Sequence, residues 1–392
     1  MKKKILIVDD SALMRRVLCD IINSDERFEV ADYAVDGAEG FKKLCAKTYD
    51  AVVLDVYMPK MTGLEMLREM QKSKVYANVL MASTTTGEGA KETMEALDLG
   101  AVDFIKKPEN VADARVDEFR QRFLTLLDVV TKTSKNHMAR AYKPDNGGVR
   151  KATTFTARYD VNFHTLDSRN TASNVSRAGS TAETKKTESA SVGKKPVSTN
   201  GNKLVAIASS TGGPKALQEV IPRLPGNLKA PVLLVQHMPK GFTQSLASRL
   251  NDLSEITVSE AKAGEAIESG HVYIAAGGSH LKLEKAGSAY KLALTDEPTR
   301  EGVKPCANYM YESLMNSGFD EIVCVVLTGM GCDGTVGIRT LKEKKKVRVI
   351  AQEEESCTVY GMPRSIVDGG LADDVVSLSD VAEHIIKNVG VY

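Results

Sequence analysis

Ile5-Leu6-Ile7-Val8-Asp9-Asp10 sets four apolar residues directly before two carboxylates. An unbroken apolar run, β-branched at all but Leu6, fits a parallel strand covered on both faces. Ala51-Val52-Val53-Leu54 and Asn78-Val79-Leu80-Met81 repeat the pattern. Between the runs, Leu13, Val17 and Ile21, then Phe41, Leu44 and Cys45, then Leu64 and Leu67 recur at helical spacing. Gly100-Ala101-Val102-Asp103-Phe104-Ile105 supplies a last strand, and Val116, Phe119, Phe123 and Leu127 a last helix. Alternation of this kind predicts a doubly wound α/β domain ending near Val130.

From about Ser134 to Asn202 the pattern gives way to Ser, Thr, Ala, Asn and Lys. So few large apolar residues cannot offset the entropy of ordering, which predicts a flexible tether. Its excess of Lys and Arg leaves two readings open, a solvated linker or a basic docking segment. Strand-like runs resume at Leu204-Val205-Ala206-Ile207-Ala208, Val232-Leu233-Leu234-Val235, Ile322-Val323-Cys324-Val325-Val326-Leu327 and Val347-Arg348-Val349-Ile350-Ala351. His280 to Glu284 and Tyr290 to Leu294, with Gly287 between, predict an antiparallel hairpin added to a second α/β domain. The expected division is therefore 1–130, a linker over 131–202, and 203–392.

A chain of 392 residues exceeds one core of ordinary size. Aromatics make up 5% and Trp is absent, which argues against stacking on nucleic-acid bases. The formal net charge of +1 gives no overall attraction to DNA or anionic lipid. Cys19, Cys45, Cys306, Cys324, Cys332 and Cys357 form no C-x-x-C pair, and most sit in apolar stretches that predict buried, reduced thiols. Met1-Lys2-Lys3-Lys4 precedes too short an apolar run for a signal peptide, and no run of about 18 apolar residues appears, so the expected location is cytoplasmic.

In a parallel α/β sheet, functional groups collect at the carboxyl ends of strands. Asp9 and Asp10 end the first strand, Asp55 the third, Ser83 follows the fourth and Lys107 the fifth. Converging carboxylates repel unless a cation joins them, and oxygen ligands with open water positions suit Mg²⁺. Asp55 could then accept a phosphoryl group, with Lys107 pairing with it and Ser83 hydrogen-bonding it. Singly, each has a duller reading as helix cap or turn; five at successive strand ends do not. V-D-D-S, L-D-V-Y-M-P-K-M-T-G-L-E, M-A-S and F-I-K-K-P together resemble the response-regulator receiver family, whose fold is flavodoxin-like. That resemblance implies Phe104 as the switch aromatic and the backbone carbonyl of Tyr57 as a further metal ligand.

Ala208-Ser209-Ser210-Thr211-Gly212-Gly213-Pro214 lies between a strand and a helix that Pro214 suits. Such a turn serves a phosphate cradle or a serine nucleophile; Pro214-Lys215-Ala216 lacks the Lys-Ser/Thr of a P-loop, which favours the nucleophile. His237 follows the next strand and Asp333 a later one, so base and orienting carboxylate converge on the same sheet edge. His271 and His280 flank a strand near glycines and could line the same cleft. A-I-A-S-S-T-G-G-P, Q-H-M-P-K-G-F-T-Q-S-L-A-S-R-L, L-T-G-M-G-C-D-G and A-Q-E-E-E-S-C-T-V-Y-G-M-P-R resemble the chemotaxis-type protein-glutamate methylesterases over nearly all of Lys203 to Val389. The resemblance implies a Rossmann-like hydrolase domain with Ser210 as nucleophile, His237 as base, Asp333 as its partner, and an oxyanion site at the backbone of Thr211 and Met330. It further implies demethylation of glutamate methyl esters and deamidation of glutamines on chemoreceptor cytoplasmic helices. A chemotaxis histidine kinase would supply the phosphate, Mg²⁺ would serve the receiver, and hydrolysis would need no cofactor; neither nucleic acid nor membrane insertion is implied. Departures stand out: Ala208-Ser209 replaces the usual Gly-Ala, Ala276 a proline, and Lys304-Pro305-Cys306-Ala307-Asn308 the usual R-P-S-V-D. The alternative is a receiver-gated adaptor that binds receptors without catalysis.

Overall fold

The structure is a computed structural model that describes residues 1–83, 87–108, 117–133, 202–287 and 289–392. The expected tether, with His137 and His164, lies almost wholly outside them.

The first sheet contains β1 (Lys3–Val8), β2 (Phe28–Ala34), β3 (Ala51–Asp55), β4 (Val79–Ser83) and β5 (Asp103–Lys106) in the order β2-β1-β3-β4-β5, parallel throughout. Ile5, Leu6, Ile7 and Val8 are fully buried, as their unbroken apolar run requires. Helices α1 (Ala12–Asn23), α2 (Gly37–Ala46), α3 (Gly63–Lys72), α4 (Gly87–Asp98) and α5 (Asp117–Lys132) connect or follow the strands. Local chemistry starts them: Ser11 and Asp36 accept backbone N–H groups at the first turns of α1 and α2, and Thr62 with Glu65 forms a capping box on α3.

The second sheet takes β6 (Lys203–Ser209), β7 (Val232–Gln236), β8 (Thr257–Glu260), β9 (His271–Ile274), β12 (Glu321–Val326), β13 (Lys346–Gln352) and β14 (Asp374–Val376), numbered around a separate antiparallel hairpin of β10 (His280–Ala286) and β11 (Ala289–Thr295). Its order, β14-β13-β12-β6-β7-β9-β8, is again parallel throughout. The helices are α6 (Gly213–Val220), α7 (Phe242–Leu253), α8 (Ala307–Ser313), α9 (Thr335–Lys344), α10 (Met362–Asp368) and α11 (Val381–Val389). Chain direction across the sheet reverses beside β6, so the carboxyl ends of β6, β7 and β12 border one crevice.

Two expectations need correction. The fifth strand starts at Asp103, because Gly100 adopts φ 99° and turns the chain out of α4 before Ala101 and Val102. Only Cys306 and Cys324 are buried; Cys45 and Cys332 are exposed, since each sits on a helix or loop face that the apolar neighbours do not cover.

The two sheets pack into one body. Phe104 of β5 stacks on Phe242 of α7 with ring centroids 4.6 Å apart. Asp98, ending α4, accepts a 2.6 Å hydrogen bond from Gln218 and pairs with Arg249 at 2.9 Å.

Candidate active site and acidic pocket

Ser209 is the last residue of β6, is fully buried, and donates its hydroxyl to Gln236 Oε1 at 2.7 Å. Ser210 follows the strand, with its N–H fixed to the Thr328 carbonyl at 3.0 Å and its carbonyl bonded by Gln236 Nε2 at 2.9 Å. Gly329 lets this turn close up: a Cβ there would lie 2.8 Å from Ser210 Cβ and 2.4 Å from Met362 Sδ. Gly212, at φ 76°, starts α6 against Thr358.

His237 follows β7 and is held through Nε2, 2.8 Å from Asp333 Oδ2. Asp333, 3% exposed, also accepts the backbone N–H of Ala307 at 2.5 Å, that of Asn308 at 2.9 Å, and the Cys306 thiol at 3.1 Å. Burial alone would push its carboxyl up; the hydrogen bond and charge of His237, then Ala307 and Cys306, outweigh burial and hold it below the usual range. An ionised Asp333 cannot donate, so Nε2 carries the proton and Nδ1 is the basic nitrogen. Ser210, Thr211, His237 and Met330 line one wall of a cavity of about 520 Å³. Asp103, Phe104 and residues of α5 line the opposite wall. Thr211 is hydrogen-bonded to Asp103, whose carboxyl burial pushes up to about 6.

His271 and His280 lie elsewhere. His271 bonds Ser259 at 2.8 Å and stacks on Tyr273, while His280 is fully buried behind Cys306. Read from sequence, Gln236, Thr328 and Cys306 carried no role, although Cys306 stands within a departure from the family pattern. Gln236 was visible beside His237, but its hold on both serines follows only from the pairing of Ser209 with Gln236 across β6 and β7.

In the first sheet, oxygens of Asp9, Asp10 and Asp55 all lie within 4.8 Å of one another. Lys107 Nζ is 2.7 Å from Asp9 and 2.6 Å from Asp55. Burial, opposed by Lys107, pushes the Asp55 carboxyl up to about 6. Asp9 Oδ2 is buried without a hydrogen bond, since the nearby ammonium lies off the bonding direction. Three hard oxygens this close together fit a divalent cation such as Mg²⁺. Ser83 is fully buried; its hydroxyl bonds the Gly89 carbonyl at 3.2 Å and receives that of Thr93 at 2.8 Å. Phe104 is 6% exposed, and Tyr57 lies in the exposed turn after β3.

Residues 205–385 match a family model described as CheB methylesterase, and residues 5–116 one described as response regulator receiver domain. A protein-glutamate methylesterase/protein-glutamine glutaminase of Syntrophomonas wolfei is 37% identical over 98% of this chain and 99% of its own. One of the same description from Bacillus subtilis is 36% identical over 97% of both. A crystal structure of the Thermotoga maritima CheB methylesterase catalytic domain is 41% identical, covering 48% of this chain and 99% of its own with a TM-score of 0.47.

Proposed function

The chain belongs to the protein-glutamate methylesterase/protein-glutamine glutaminase family, and from that premise we propose that it hydrolyses glutamate γ-methyl esters and glutamine amides with Ser210 as nucleophile. Ser210 Oγ attacks the side-chain carbonyl while His237 Nδ1 takes its proton, and Asp333 stabilises the imidazolium that forms. The backbone of Thr211 and Met330 receives the developing oxyanion, and His237 returns the proton to departing methanol or ammonia. Water, activated by the same histidine, then releases the glutamate carboxylate. The observation that carries this reading is the 2.8 Å bond to Asp333 from His237, which lines the same cavity as Ser210. An adaptor without catalysis would leave both without purpose.

The residue division 1–130, 131–202 and 203–392 then reads as receiver, linker and hydrolase. Asp9, Asp10, Asp55 and the Tyr57 carbonyl would hold Mg²⁺, which offsets charge on the phosphoryl group that Asp55 accepts. Lys107 and Ser83 would engage that group, and Phe104 would report it to α7 through Phe242. The substrates are methyl-accepting chemoreceptors, the phosphate comes from a chemotaxis histidine kinase, and the site of action is the cytoplasm. No helix among the described residues is long and apolar enough to cross a membrane. Methanol release from methylated receptor membranes tests the proposal: wild type should release it and Ser210→Ala should not. Release by Ser210→Ala at the wild-type rate would reject it.

A further inference from the structure

We infer that Cys306 is a positioning residue for hydrolysis, its thiol aiming Asp333 at His237 while leaving that carboxylate basic. The inference rests on the serine-hydrolase reading above.

Asp333 carries four donors, two per oxygen: His237 and Ala307 on Oδ2, Asn308 and Cys306 on Oδ1. Three of them come from the consecutive residues Cys306, Ala307 and Asn308. That segment is itself fixed. The Cys306 N–H donates to His280 Nδ1 at 3.2 Å, and His280 Nε2 donates to the carbonyls of Glu297 and Pro298, each at 3.2 Å. Both carbonyls can only accept, so the tautomer that leaves Nδ1 as acceptor is fixed. Asn308 Oδ1 accepts the N–H groups of Gly334 at 3.1 Å and Gly337 at 2.6 Å, gripping the turn that follows Asp333. One short segment therefore holds the carboxylate from both sides.

Two of the three donors are backbone and cannot vary with sequence; the thiol is the adjustable one. A thiol is a weak donor, whereas a hydroxyl bonded to a carboxylate draws more of its charge. Cys306 thus fills the last direction on Oδ1 and takes little basicity from Asp333. Burial, then the Asp333 charge, pushes the thiol well above its ordinary range, so it stays protonated and a donor. It is fully buried and is not itself a nucleophile. Tyr311 and Cys332, the latter bonded to Glu301, also feel the charge of Asp333.

The test is the pH dependence of kcat/KM for ester hydrolysis by full-length C306S and C306A, between about pH 5 and 9. C306S puts a stronger donor on Asp333: the midpoint of the acidic limb should fall by about 0.3 unit or more, and the plateau kcat should drop roughly threefold to tenfold with KM little changed. C306A removes a donor and should move the midpoint upward. A role in packing alone would lower activity in both variants without moving the midpoint. Unmoved midpoints, or shifts of one sign in both, would overturn the inference. If C306A does not fold, as judged by thermal melting, the C306S shift decides alone. Ser210→Ala serves as control: its full activity would reject the hydrolase reading, whereas a serine-dependent enzyme with unmoved midpoints rejects only the role of Cys306.

Discussion

Ser209 and Ser210 differ by one position, but Ser209 closes β6 and Ser210 begins the turn after it. The hydroxyl of Ser209 is spent on Gln236, whereas Ser210 lines the cavity. Ser210→Ala should therefore lower turnover by up to roughly 10⁶, and Ser209→Ala should retain most of it. The Ser209 variant should still lose about 1 kcal/mol of stability, because Gln236 Oε1 loses its donor. Turnover of both variants and a melt of the second check this; a dead Ser209 variant beside an active Ser210 variant would reverse the assignment. Gly329→Ala should also impair turnover, since its Cβ would meet Ser210. From the residues alone the two serines were equivalent candidates. What separates them is where β6 ends, a matter of pairing with β7 that local sequence does not express.

At the scale of elements, α4 links the acidic pocket to the second sheet. Its Thr93 holds the Ser83 hydroxyl, and its last residue, Asp98, holds Gln218 and Arg249. A phosphoryl group at Asp55 that draws Ser83 away would disturb the helix that carries the docking contact. Arg249→Ala should raise the activity of unphosphorylated enzyme by no more than about fivefold, since a half-exposed ion pair contributes about 0–1 kcal/mol. An unchanged ratio of phosphorylated to unphosphorylated rates would remove Asp98 from the switch. The strands that form the sheet centres were legible because they are continuous apolar runs. Phe28–Ala34, Thr257–Glu260 and Asp374–Val376 were not, because they are edge strands with few buried residues: the first is buried only at its ends, the second only at Val258 and the third nowhere.

At the scale of the whole molecule, one wall of the catalytic cavity belongs to the first sheet, so docking and catalysis compete for the same space. A fragment starting near Asn202 should outpace unphosphorylated full-length enzyme. A phosphodonor with Mg²⁺ should speed wild type but not Asp55→Asn. A fragment slower than unphosphorylated enzyme would make the receiver an activator. Docking should also depend on pH. Burial raises the Asp103 carboxyl from the ordinary carboxylate range to about 6 against the hydrogen bond of Thr211, so where undocking hydrates Asp103 the docked state binds more protons. The associated stabilisation is full well below that range and is lost as pH rises through about 6. The fragment-to-full-length rate ratio should therefore fall between about pH 5.5 and 7.5, and Asp103→Asn should flatten it. The cavity has one more consequence, for chemical intervention. Its 520 Å³ falls within the span that drug-sized compounds occupy, and a compound filling it would touch both walls at once. Such a compound would act as an adhesive: at a hundredfold excess over its Kd it would favour the closed form by about 2.7 kcal/mol. Its potency should therefore be greatest against the unphosphorylated protein and least against the isolated fragment, the reverse of a substrate mimic.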